Sequence, residues 1–132
     1  MNILNSICKY ILVLICIMPV LGVMGVFPEP TADMYGSASA YSFIMALYDT
    51  GYIMYTMAAV FFFSAVLLLT NRTALAALLL LPLTVNIVGF HAFVDTGLLA
   101  GGALMGNTLL LLNIYFIWKN KRVYAVLFSK QQ

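Results

Sequence analysis

Few residues in this chain have the type and spacing to do chemistry. There is one histidine, His91, and a carboxylate follows it four residues on at Asp95. On a helix that spacing puts both side chains on one face. An imidazole beside a carboxylate can hold a proton, donate to a ligand carbonyl, or satisfy itself within the protein. Asn86 lies five residues earlier, about 140° around a helix from His91, and is expected to point toward a different neighbour. Asn107 and Asn113 could reach it or each other, since asparagines hydrogen-bond across membrane helices for about 0.6 kcal/mol each. One reading joins His91, Asn86, Asp95 and Asn113 with Phe90 and Phe93 into a ligand pocket: apolar walls with a few convergent polar groups. A quinone or another lipid-soluble carbonyl compound would suit it. The other reading makes the asparagines interhelical glue and His91 a residue bonded to Asp95 or to backbone. The sequence leaves both open.

Other chemistries lack their parts. Cys8 and Cys16 sit eight residues apart in one predicted helix, roughly 12 Å along its axis. A disulfide needs Cα atoms within about 7 Å. There is no Cys-x-x-Cys, so quinone-linked thiol oxidation is not expected. Packing suits both cysteines, and lipidation is the other use open to Cys8. A bis-histidine haem needs a second histidine, and no ligand cluster for a metal is present. Neither haem nor metal is expected. No acidic residue falls at mid-depth of a predicted span, which argues against a proton-coupled transporter.

The elements that must position these residues are set by composition. The 132 residues are 64% hydrophobic and 8% charged, with mean hydropathy +1.06, where soluble domains are about a quarter charged. A soluble fold this size leaves roughly 30% of its unfolded surface wet, too much for a chain so apolar. The solvent is therefore expected to be lipid, and the fold all-α: a single polytopic four-transmembrane-helix bundle. A crossing takes about 20 apolar residues. Four stretches answer, at about 7–27, 52–70, 74–93 and 98–118. A leader peptide would also place Lys9 before an apolar core, but this core outruns the roughly 7–15 residues of a leader.

Charge then orients the bundle. Threading the chain back and forth puts Lys9, Arg72, Lys119, Lys121, Arg122 and Lys130 on one face and Glu29, Asp33, Asp49 and Asp95 on the other. Basic residues mark the cytoplasmic side. Both termini are thus expected in the cytoplasm, with the segment 28–50 and Asp95 outside, in a multi-pass protein of the cytoplasmic membrane. Pro28 and Pro30 are expected to end the first helix. The apolar, aromatic stretch Tyr41–Tyr48 predicts a short helix in the outer interface or folded over the bundle, with Gly51 as the break after it. Gly102 and Gly106 form a small-xxx-small pair in the fourth helix, suited to close helix packing. The basic tail, 119–132, could lie on the anionic inner leaflet. Topology alone explains these charges, so no nucleic-acid partner is expected.

Several of these pieces resemble one family. Thr50-Gly51-Tyr52-Ile53 opens the second span after an amphipathic segment. The run Ala76–Ile87, with Pro82 and Asn86 inside it, is followed by Phe90-His91-x-Phe93. Asn113-x-Tyr115 closes the fourth span. From Gly51 to Trp118 the chain resembles the DoxX-like membrane family. The resemblance implies a four-helix bundle of this topology. It also implies a role as a small subunit of quinone-linked oxidoreductases, as a partner of redox or detoxifying enzymes, or as an assembly chaperone. One departure stands out: where members often carry a glutamate in the second span, this chain has Phe61.

Three functions follow as expectations. The first is a non-catalytic accessory subunit of a larger, redox-linked membrane complex, with another membrane protein or a second copy as partner. The second is a binder of a lipophilic ligand such as a quinone, held near His91 in a pocket that opens outward. The third is a small dimeric transporter, which the missing embedded carboxylate disfavours.

Overall fold

The computed structural model describes residues 2–99 and 101–128, the side chains of 127 and 128 excepted. Lys130, the last basic residue of the tail, lies outside the described residues. Six α-helices are present among those residues: α1 Ile3–Val23, α2 Ala38–Thr50, α3 Tyr52–Leu69, α4 Thr73–Phe93, α5 Leu104–Lys119 and α6 Lys121–Phe128. Four are long and apolar enough to cross a membrane: α1, α3, α4, and α5 with the 3-10 turn Gly101–Ala103 before it. They pack in a closed ring, α1 on α3, α3 on α4, α4 on α5 and α5 back on α1.

The first span starts and stops about four residues earlier than its hydropathy suggests. Gly25 ends it, not Pro28. At φ +77° Gly25 lets the chain fold back, so that Gly25 N–H donates to the Gly22 carbonyl and Val26 N–H to that of Leu21. This left-handed cap satisfies carbonyls that the helix end would orphan. Asn71, at φ 62°, does the same for α3: its N–H donates to Leu68 and that of Arg72 to Leu67. The α3–α4 hairpin is the result. Gly51, at φ 65°, is the one residue between α2 and α3. The fourth span is also shorter as an α-helix than 98–118, so Gly102 lies in the 3-10 turn rather than in α5.

Which face of each span turns inward is marked by small and polar residues. The buried positions of α3 and α4 include Ala58, Ser64, Ala65, Ala76, Ala77 and Thr84, while Phe62, Phe63, Leu75 and Val85 are exposed. Lipid solvates large side chains as well as the core does, so close backbone approach decides the interior. Ser64 and Thr84 turn their hydroxyls to the carbonyls of Val60 and Leu80.

Packing is uneven along the bundle. The dense core joins Leu12, Val13 and Cys16 of α1 to Phe61, Ala65 and Leu68 of α3, Leu80 of α4 and Phe116 of α5. It fills the half nearer the α3–α4 turn. That end is tied by side chains. Lys9, only 3% exposed, donates from Nζ to Asn71 Oδ1 at 3.0 Å. Asn120 donates to Thr73 Oγ1, and the Tyr124 hydroxyl of α6 donates to the Ala74 carbonyl. The opposite half, where Asp95 sits, is looser and holds the cavities.

Candidate functional site

The last three turns of α4 carry the site. Leu83, Asn86, Ile87, Phe90 and His91 line one cavity of about 570 Å³. Asn86 and His91 do stand about 140° apart, but the cavity is wide enough for both to border it, which corrects the expectation that they face different neighbours. Its other walls are Ile53 and Met57 of α3, Phe43, Ile44 and Leu47 of α2, and Met34 and Tyr35 of the segment before α2. Asp95 and Gly102 complete it.

The segment from Met34 through α2 is therefore a cover, and three contacts fasten it to the end of α4. Gly36 N–H donates to Asp95 Oδ1 at 2.9 Å. The Ser37 hydroxyl donates to the Val94 carbonyl at 2.8 Å and, as the cap of α2, accepts from Ala40 N–H at 3.0 Å. Gly36 also lies against Thr96 so closely that a Cβ there would overlap the Thr96 methyl. Aromatic contacts continue the seam: Phe90 stacks on Phe43 at 5.6 Å and meets the Tyr35 ring edge-on at 6.4 Å.

Asp95 joins the cover to the imidazole. Its Oδ2 lies 3.0 Å from His91 Nδ1, with the aspartate side chain 4% exposed and the histidine 14%. The Gly36 amide, and after it the His91 imidazole and the Thr96 amide, hold the Asp95 carboxyl below the ordinary carboxylate range against the opposing effect of burial. A carboxyl with a depressed folded pKa stabilises the fold above its unfolded value, and that contribution is lost as pH falls through the folded value. The cover should therefore stay fastened down to about pH 3.9, the ordinary aspartate value, and loosen only below it. Protease susceptibility of the 28–37 segment measured against pH checks this. Asp33, in the same segment, also titrates below its ordinary value, so the step assigned to Asp95 must disappear in Asp95→Asn.

No protein-family model, characterised protein or solved structure matches this chain. The site is read from its own geometry.

Beyond His91 lies a second cavity of about 160 Å³, bounded by Ile15 and Pro19 of α1, Phe61 of α3, and Met105, Gly106 and Leu109 of α5. His91, Ile87 and Gly102 border both cavities, so the imidazole stands at the wall between them. A Cβ on Gly102 would come 3.9 Å from His91 Cε1, and one on Gly106 would come 3.5 Å from Cδ2. The ring edge between those carbons carries Nε2. Both glycines border the smaller cavity on that side, and no hydrogen-bond partner meets Nε2 among the described residues.

Two expected site residues are elsewhere. Phe93 is 90% exposed, because two residues past His91 is about 200° around the helix. Asn113 is fully buried in the core and donates to Thr84 Oγ1 at 3.0 Å. It lies more than a helical turn nearer the α3–α4 hairpin than His91 and borders neither cavity. Asn107 closes its own loop, donating to the Leu98 carbonyl. The sequence reading missed Gly36, Ser37 and Tyr35. The signal available was the serine cap before an apolar helix with Phe43, Ile44 and Leu47 at helical spacing. No group of three His, Cys, Asp or Glu side chains that could hold a metal ion occurs among the described residues.

Proposed function

We propose that this chain is a non-catalytic, multi-pass protein of the cytoplasmic membrane that holds a lipophilic molecule of quinone type by its polar head. The ligand occupies the 570 Å³ cavity, beneath the cover and beside His91. Both termini are cytoplasmic in this reading, which follows from the basic residues at the α3–α4 turn and tail. The cavity then opens toward the outer leaflet, with α2 near the interface.

The observation that carries the proposal is the polar trio at an apolar wall. His91, Asn86 and Asp95 border a space whose other lining is aliphatic, aromatic and methionine, with Gly102 and the phenol of Tyr35. Its volume falls in the range of small-molecule sites, about 300–1,000 Å³. The imidazole borders both cavities and is held by Asp95 through Nδ1 alone, which leaves Nε2 for a ligand. The DoxX-like resemblance supports the same ligand class and a place within a larger redox-linked complex. Phe61, where members of that family often carry glutamate, borders the smaller cavity, so a phenyl group stands where an embedded acid would. Holding or presenting a ligand fits this chain better than turning one over.

Binding of a short-tailed quinone to the purified full chain in detergent tests the reading. The double variant His91→Ala, Asn86→Ala should bind about tenfold more weakly or worse, each lost hydrogen bond counting about 0.5–1.5 kcal/mol. Equal affinity in wild type and double variant would sink the proposal.

A further inference from the structure

We infer that the ligand presents a hydroxyl to His91, so that a phenol or hydroquinone is held in preference to its oxidised, carbonyl-bearing form. The inference rests on the ligand-binding reading and sharpens it to a chemical class. Asp95 fixes the tautomer. Its Oδ1 accepts the Gly36 N–H and its Oδ2 faces His91 Nδ1. An ionised carboxylate can only accept, so Nδ1 carries the imidazole proton. A neutral imidazole has one such proton, and Nε2 is left with a lone pair. That atom lies on the ring edge toward Gly102, which borders both cavities, and Gly106, which borders the smaller one, so the ligand's polar head meets it where the two cavities share a wall.

Asn86, also on the wall of the larger cavity, adds groups of both signs. It donates from Nδ2 to the Pro82 carbonyl at 2.8 Å, and its Oδ1 has no protein partner among the described residues. The Asn86 amide and the Tyr35 hydroxyl can each serve a carbonyl or a hydroxyl, so the group that discriminates is His91 Nε2. A carbonyl ligand would bring a second acceptor to that nitrogen, whereas a hydroxyl supplies the missing proton. The other ionisable group at the cavity is Tyr35, from the cover. Burial raises its pKa, so it stays neutral. Across the smaller cavity, on the Nε2 side, the α1, α3 and α5 walls contribute only uncharged residues such as Pro19, Phe61 and Met105.

Two measurements on the full chain test this. The first is the affinity of a matched pair, a short-tailed hydroquinone and its quinone, measured anaerobically at neutral pH. The reduced form should bind about tenfold tighter or more in wild type, and His91→Ala should remove the preference. In Asp95→Asn the amide can donate to Nδ1 and push the proton to Nε2, so the preference should shrink or reverse. Equal affinities in wild type, or tighter binding of the quinone, would overturn the hydroxyl assignment while leaving the cavity a ligand site. Binding of neither form would overturn both. The second measurement needs no ligand and no variant. The chain has a single histidine, so ring-¹⁵N labelling gives one pair of signals. They should report the proton on Nδ1, and a proton on Nε2 would end the inference.

Discussion

Gly36→Ala should unfasten the cover and abolish ligand retention, although Gly36 is neither catalytic nor inside the cavity. The reason is space, not backbone conformation: the positive-φ glycines are Gly25, Gly51 and Gly97, and Gly36 is not among them. A Cβ on Gly36 would overlap the Thr96 methyl, with the Thr96 Cβ at 2.9 Å and its Oγ1 at 3.0 Å. Overpacking of this kind costs about 1–3 kcal/mol. Moving the segment outward to relieve it would also break the Gly36 bond to Asp95, and hydrogen bonds to charged groups contribute about 1.5–3 kcal/mol. Beyond these, residues 28–37 keep only the Ser37 bond to Val94 and the Tyr35 contact with Phe90 to set against such losses. Proteolysis within 28–37 should quicken at least tenfold in the variant while the spanning helices stay protected. Thr96→Gly removes the three atoms nearest the new methyl, so the pair Gly36→Ala, Thr96→Gly should recover most of the protection. Such recovery is the non-additivity expected of touching residues. An unchanged cleavage rate in Gly36→Ala alone would mean that the cover is not fastened at this point.

The histidine and its aspartate were legible because four residues on a helix is a local relation. So was the bundle, since four apolar runs and segregated charge are properties of the chain itself. What the sequence could not show was who faces whom. In a lipid-solvated helix both the interior and the exterior are apolar, and hydropathy has no strong period to read. Phe93 and Phe90 look equivalent beside His91, yet Phe90 lines the cavity and Phe93 is exposed. The 200° step from His91 to Phe93 was a usable sign, while the partner of Asn113 was not: Thr84 lies on another helix and its hydroxyl already serves the Leu80 carbonyl. The cover was hidden for a related reason. Its helix follows from composition, but its seat depends on Gly36 meeting Thr96 across 60 residues, a pairing that no local pattern encodes.

Gly106→Leu should be the most damaging single change in the spanning helices, and its effect separates two roles for the glycine pair. If Gly102 and Gly106 form a docking face for another protein, leucine there would spare the isolated chain and weaken only the complex. The packing gives a different expectation. A Cβ at Gly106 would already sit 3.0 Å from Ile87 Cγ2 and 3.5 Å from His91 Cδ2, so α5 reaches α4 through this residue. Leucine must push the two helices apart or displace the imidazole, at a cost of about 1–3 kcal/mol or more for overpacking. The purified chain alone should lose several degrees of thermal stability, and its ligand affinity should fall together with the space in front of Nε2. Ile87→Ala removes the atom nearest the new side chain and should return part of the stability. It would not restore binding, because the leucine would still fill the room that the hydroxyl of the ligand needs. An isolated Gly106→Leu chain as stable as wild type would instead place the glycine on an outer surface and make a protein partner its reason for being small.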